Sequence, residues 1–286
     1  MPKMSRRNFL KLAASGCFVA ATAFSATALS GCSSNETAST KYQSPYDFSG
    51  LSISNFGATY TENGALKSKF GIDVSDYQGD INWTKVKNAG VDFVFVRLGY
   101  RGSTKGLLYE DENYIQNIQG ATNAGLEVGA YFFSQAANTE EASEEAAFCL
   151  SLLSRVSAAN GTAKPITLPL VFDHEPTAGG TGRADTISRS NMTEIATQFC
   201  KDVAISGYRP MIYGNSGDID RYERETLLDS LVAEGYPRMQ IWFAEYNSNT
   251  PTGQFDFSIW QYSNSGQIDG IDTNVDLNIL FTTTFS

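Results

Sequence analysis

The chain has 286 residues, 42% of them hydrophobic, with 31 acidic residues against 21 basic ones and a net charge of −10. So acidic a surface repels phosphate backbones, which excludes nucleic acid as an expected partner. No apolar run reaches the ~20 strongly apolar residues that a bilayer core demands, so no spanning helix is expected.

The N-terminus reads Ser5-Arg6-Arg7-Asn8-Phe9-Leu10-Lys11, then a weakly apolar stretch diluted by Ser15, Gly16, Thr22, Ser25 and Thr27 that ends in Leu29-Ser30-Gly31-Cys32. This predicts a cleaved export signal over residues 1–31. The paired arginines resemble a twin-arginine signal, and the last four residues resemble a lipobox whose cysteine is lipidated. An ordinary basic signal with an incidental cysteine is the other reading. Removing the signal leaves 17 basic residues against 31 acidic ones, a net −14. The mature protein is then expected outside the cytoplasm, either secreted or held on the outer membrane face by a lipid at Cys32.

Residues 32–67 are rich in Ser, Thr, Asn and Gly without sustained periodicity, and predict a flexible tether. Leu51, Ile53 and Phe56 are apolar enough to pack on the domain C-terminal to them, which makes that boundary soft. From Lys69 onward short apolar runs alternate with longer amphipathic ones, the pattern of strands and crossover helices. Eight strands are predicted: 70–74, 92–98, 127–133, 168–173, 210–213, 240–244, 257–261 and 275–280. A helix over 140–156 opens with an acid-rich turn. After Ala244 the intervals shorten and carry Pro251, Gly253, Gly266 and Gly270, so turns replace helices there. About 220 residues with eight strands suit one closed α/β barrel spanning residues 68–286, an irregular TIM-like barrel.

Four cysteines occur, of which Cys149 and Cys200 would remain in the barrel. Both fall in helical patterns, and one disulfide or two buried thiols explain them equally well.

The candidate chemistry lies in carboxylates at strand ends. Leu168-Pro169-Leu170-Val171-Phe172 ends in Asp173, His174 and Glu175. Side chains two apart on a strand share a face, so Asp173 and Glu175 would both point to the mouth of a parallel barrel, roughly 7 Å apart at Cα. Neighbouring like charges raise proton affinity, which suits a general acid. A merely solvated or cation-binding pair is the competing explanation. Asp73 ends the first strand and Asp276 lies in the last, and closure makes those strands neighbours. An oxygen-ligand metal cluster would also use such acids, although a single histidine disfavours a transition metal. By alternation His174 points away from both carboxylates. Arg97 ends an apolar strand and needs a carboxylate partner, for which Asp73 is the expectation. Tyr100, Tyr131, Tyr213, Trp242, Tyr246, Trp260, Gln261 and Tyr262 cluster at other strand ends, either as sugar-binding rings and amides or as core filling.

Several motifs in order resemble the family 25 glycoside hydrolases, the bacterial and phage muramidases. They are Gly71-Ile72-Asp73-Val74-Ser75 with Gln78-Gly79, Phe95-Val96-Arg97, Gly129-Ala130-Tyr131-Phe132-Phe133, Asp173-His174-Glu175, Ile212-Tyr213, Trp242-Phe243-Ala244-Glu245-Tyr246, Trp260-Gln261-Tyr262 and Val275-Asp276-Leu277-Asn278. The resemblance runs from about Phe70 to the C-terminus. It implies a (β/α)5(β)3 barrel that cleaves the β-1,4 bond after N-acetylmuramic acid in peptidoglycan with retention of configuration. Glu175 would be the general acid/base, Asp173 the stabilising partner, and Asp73 and Asp276 supporting acids. Arg97, Tyr131, Tyr213, Trp242 and Gln261 would serve the substrate. No cofactor or metal is implied, and a monomer is expected. His174 departs from the small or aliphatic residue the family usually has there. A chitinase-like hydrolase is the weaker alternative, because residues 167–172 contain no further aspartate; a non-catalytic glycan-binding lipoprotein is the other.

Overall fold

The computed structural model describes residues 42–54 and 57–281. The signal, Cys17, Cys32 and Phe56 lie outside the described residues. Eight strands close into a barrel: β4 (Ser68–Val74), β5 (Phe93–Arg101), β7 (Glu127–Phe133), β8 (Leu170–Asp173), β9 (Pro210–Gly214), β10 (Gln240–Ala244), β11 (Ile259–Gly266) and β12 (Val275–Phe281). The pairing of β4 with β5 completes the circle, and β6 (Leu108–Glu110) extends β5 as a hairpin. Helices α1 (Trp83–Asn88), α2 (Tyr114–Asn123), α3 (Thr139–Asn160) and α4 (Arg189–Ile205) cover the first crossovers, and the short α5 (Ser216–Ile219) and α6 (Arg224–Asp229) cover the fifth. Beyond β10 no further helix occurs among the described residues, so five β/α units precede three bare strands.

Within the eight-stranded barrel neighbouring strands run parallel except β12, which is antiparallel to both β11 and β4. The C-terminal ends of the parallel strands form one mouth, and the reversed β12 presents its beginning there, so Asp276 arrives at the mouth from the start of its strand. Register places it directly opposite Asp73.

Alternation sorts the buried residues into two layers. Phe93, Phe95, Tyr131, Val171, Met211, Tyr213, Trp242, Ile259 and Leu280 fill the barrel interior. Val94, Val96, Val128, Phe132, Leu170 and Phe172 face outward against the helices. The interior admits the Phe93 and Phe95 rings because their neighbours are glycines: a Cβ on Gly71 would overlap Phe93, and one on Gly129 would overlap Phe95. Helix α3 starts where the Asn138 side chain accepts the Glu141 N–H at 2.8 Å and stops at left-handed Gly161. It is about a turn longer than its periodicity predicts. Cys149 on α3 and Cys200 on α4 are free and buried, and burial pushes both thiols up. The free-thiol reading holds.

Part of the segment predicted as a tether is structured. Within it, β1 (Leu51–Ser54), β2 (Gly57–Glu62) and β3 (Ala65–Leu66) form a small antiparallel sheet. Tyr46 stacks on Phe281 at 4.3 Å, and its hydroxyl donates to the Phe257 carbonyl at 2.8 Å. Tyr60 is fully buried, with its ring edge on Phe281. Three aromatics in a polar stretch, Tyr46, Phe48 and Tyr60, supply the apolar area that composition averages hide. Because Phe281 ends the antiparallel β12, this sheet covers the barrel end opposite the mouth. Among the described residues no helix is long and apolar enough to cross a membrane.

Candidate active site

The mouth carries carboxylates from three strands. Asp73 at the end of β4 is buried, and its Oδ2 accepts from Gln261 Nε2 at 2.6 Å and from Asn278 Nδ2 at 2.9 Å. Gln261 Nε2 also reaches Asp276 Oδ2 at 3.4 Å. On their other sides both amides are held by side chains with one donor each. The Trp242 indole N–H donates to Asn278 Oδ1 at 2.8 Å, and the hydroxyls of Tyr213 and Tyr246 donate to Gln261 Oε1 at 2.8 and 2.6 Å. An indole N–H can only donate, so it orients the Asn278 amide and turns that residue's NH2 toward Asp73. Gln261 and Asn278 sit side by side in the β11–β12 register.

Trp242 therefore packs beneath the mouth, 1% exposed, with Phe95 at 4.6 Å and Tyr213 at 4.9 Å. Trp242, Gln261 and Tyr213 hold the acids in place more than they offer open surface to a ligand. Trp260 and Tyr262 belong to the outer layer, and the Trp260 N–H is spent on the Glu245 carbonyl at 3.0 Å. Their place at a strand end does not bring them to the mouth.

Arg97 is at the mouth, but its partners are other than the expected Asp73. Its Nε donates to Asp111 Oδ2 at 2.9 Å and its Nη2 to Asp76 Oδ1 at 2.5 Å, and its guanidinium lies over the rings of Tyr77 and Tyr100 at 5.1 and 5.6 Å. Asp111 also accepts the Asp76 N–H at 2.9 Å. Asp73 is engaged by the two amides, and the turn after β4 carries Asp76 to Arg97 instead. Neither Asp76 nor Asp111 stands in a periodic pattern, so no sequence signal distinguished them.

Asp173 ends β8 and is 1% exposed, opposite Tyr213 of β9. Glu175 lies two residues beyond the end of the strand and is half-buried. Its carbonyl accepts from Gln135 Nε2 at 2.9 Å. Gln135 is held in turn: its N–H donates to Glu145 Oε1 at 3.3 Å, and its carbonyl accepts from Arg183 Nη1 at 2.9 Å. Arg101 Nε donates to the same Glu145 oxygen at 2.7 Å, and Arg101 and Glu145 are both buried. Burial dominates at Glu145 and lifts its carboxyl to about 7 despite the hydrogen bonds from Ser134 and Arg101.

His174 turns outward as alternation predicts, beside Phe172 and fully buried. Arg221 Nη1 lies 3.2 Å from His174 Nδ1, and because guanidinium only donates, that nitrogen accepts. Burial first, then the Arg221 charge, push the ring down to about 3, so it is neutral.

A fifth carboxylate, absent from the strand-end pattern, joins these. Asp218, 4% exposed, lies on α5 directly after β9, and its Oδ2 accepts the Asn215 N–H at 3.1 Å. Burial, then the charge of Glu175, raise its carboxyl to about 7. The signal was present as a capping pair, Asn215 with Asp218 three residues on, immediately after a predicted strand. Among the described residues no group of three or more His, Cys, Asp or Glu is arranged to hold a metal ion.

A family model described as "Glycosyl hydrolases family 25" matches residues 72–271. Lysozyme M1 of Streptomyces globisporus is 29% identical over 218 residues, 73% of this chain and 66% of that protein. The autolytic lysozyme of Clostridium acetobutylicum is 28% identical over 211 residues, 73% of this chain and 54% of its own length. The chain thus spans between about half and two thirds of these relatives. Among solved structures, the bacterial lysozyme from Streptomyces coelicolor superimposes with a TM-score of 0.56 at 26% identity, covering 73% of this chain and 90% of that one.

Proposed function

The chain belongs to glycosyl hydrolase family 25, and from that premise we propose that it is a peptidoglycan hydrolase, a lysozyme cutting the β-1,4 bond between N-acetylmuramic acid and N-acetylglucosamine. The observation that carries the reading is the convergence at one barrel mouth of Asp73 and Asp276, opposite each other across β4 and β12, with Asp173 and Glu175 at the end of β8. In this reading Glu175, half-buried at the edge of the site, donates its proton to the glycosidic oxygen. The sugar C1 then develops positive charge in an oxocarbenium-like transition state, which the buried Asp173 carboxylate offsets at short range. Asp73 and Asp276 bound the groove, with Asp73 held by the Gln261 and Asn278 amides. Tyr131 and Arg97 complete its wall, and the outcome is retention.

Glu175 suits the proton-donating role because its main chain is clamped by Gln135 while its side chain keeps access to solvent and substrate. A carboxyl that misses the leaving oxygen by an ångström loses most of its effect. The wider proposal has the protein exported by its N-terminal signal, anchored through Cys32 or secreted, and acting as a monomer on glycan strands of the wall.

The test is to incubate purified protein with insoluble peptidoglycan and with chitin oligosaccharides and to identify new reducing ends by mass spectrometry. Muramic-acid reducing ends, lost in a folded Glu175→Gln variant by about 10³-fold or more, are the expected result. Glucosamine reducing ends, chitin cleavage alone, or no product from a folded protein that binds wall would overturn it.

A further inference from the structure

We infer that Gln135 is a positioning residue for Glu175, its side-chain amide standing in for a main-chain rung so that the order of β8 reaches the proposed acid. The inference deepens the reading of Glu175 as the acid and rests on it.

In a parallel pair the hydrogen bonds from one strand to its neighbour recur every second residue. From β7 to β8, the Ala130 N–H donates to the Pro169 carbonyl at 3.0 Å and the Ser134 N–H to the Asp173 carbonyl at 2.7 Å. The same offset makes Ala136 the next donor and Glu175 the next acceptor. The chain is by then bending toward the Asn138 cap of α3, and the Ala136 N–H turns to Ser134 Oγ at 3.2 Å. Gln135 Nε2 takes the vacant rung and donates to the Glu175 carbonyl at 2.9 Å. Strand pairing ends at Asp173, yet the hydrogen-bonded register continues to Glu175 through a side chain.

Gln135 is itself fixed from two sides and fully buried. Its N–H donates to Glu145 Oε1 on α3, an oxygen that Arg101 Nε also holds at 2.7 Å. Its carbonyl accepts from Arg183 Nη1 at 2.9 Å, and Arg183 comes from the loop that follows Glu175. Both terminal nitrogens of Arg183 grip the Glu141 carboxylate, one of them at 2.6 Å, so the loop is tied to the first turn of α3. Glu175 is thus held at its own carbonyl and again eight residues on.

The Gln135 amide opposes folding at its other end. Its Oε1 is buried without a hydrogen-bond partner among the described residues, and a buried acceptor left unmatched destabilises the folded state. An apolar side chain of the same length would fill the space as well. What only the amide supplies is the bond to Glu175, so the residue serves the site at the expense of the fold.

Gln135→Met keeps the length of the side chain and removes both amide atoms. The Glu175 carbonyl, half-buried, can then turn to water. With soluble peptidoglycan fragments, kcat should fall about tenfold or more while KM stays within about twofold, because the acid is misplaced and binding is not. The urea midpoint should hold or rise, and amide hydrogen exchange over residues 174–178 should quicken about tenfold or more. An unchanged kcat in the folded variant overturns the inference. So does a fall in kcat accompanied by a lower urea midpoint and a higher KM, which marks Gln135 as merely structural. If Gln135→Met does not fold, Arg183→Lys loosens the same clamp from its partly exposed end and should lower kcat about threefold at unchanged KM; no change there overturns it equally. If the wild-type protein cleaves nothing, the proposed function fails on its own test, and hydrogen exchange over 174–178 decides the positioning: exchange indifferent to the substitution overturns it.

Discussion

His174 is the residue whose burial has the clearest consequence for stability. Its folded ring stays neutral down to about pH 3, because burial and then Arg221 oppose the charged form, whereas the unfolded chain takes up a proton below the ordinary 6.5. Proton uptake by the unfolded state alone destabilises the fold. The His174 contribution is therefore complete above pH 6.5 and declines as pH falls toward 3, by up to about 1.4 kcal/mol per unit. Replacing His174 with Gln should flatten that decline, so the stability gap between the two proteins in urea unfolding should change between pH 7 and pH 4.5. A constant gap would mean the ring is not held neutral. At the same scale, Arg97 shows how a correct position can be joined to a wrong partner. Its charge was bound to find carboxylates, but Asp76 and Asp111 reach it through a turn and a hairpin whose course the sequence does not spell out.

At the scale of elements, the barrel interior is shaped by exchanging large and small residues between adjacent strands. Phe95 on β5 fills the space that Gly129 on β7 leaves, and the two are paired in register. Gly129→Ala should overpack this layer and cost about 1–3 kcal/mol. Combining it with Phe95→Leu should recover part of that loss, and denaturant unfolding of the single and double variants would measure it. Equal stability of Gly129→Ala and wild type would show that the ring has room to move. Just above this layer stand Trp242, Tyr213 and the amides around Asp73, so the core of the barrel is also the floor of the site.

At the scale of the whole molecule, the mouth and the N-terminal sheet occupy opposite ends of the barrel. Tyr46 and Tyr60 cover Phe257 and Phe281 there. A chain beginning at residue 68 would expose that aromatic cluster, and each large side chain returned to water costs about 1.5–3 kcal/mol. Thermal unfolding of residues 42–286 against residues 68–286 should show the shorter protein several kcal/mol less stable, or prone to aggregate. Equal melting temperatures would restore the tether reading for residues 42–67. The proposed catalytic mouth, far from this end, should keep its activity per folded molecule.

What the sequence determined by itself was what short-range chemistry writes into it. Eight strands, the switch from helices to turns after Ala244, and the acids at strand ends were legible because hydrophobic alternation and turn residues act within a few positions. The outward turn of His174 came from the same period of two. Tertiary structure decided everything that depends on which strands meet. The antiparallel course of β12 set Asp276 opposite Asp73, and the amides of Gln261 and Asn278 found Asp73 across more than 180 residues of chain. It also folded Tyr46 and Tyr60 onto the far end of the barrel. These contacts are set by closure and by the burial of charge and aromatic area, which no local pattern records.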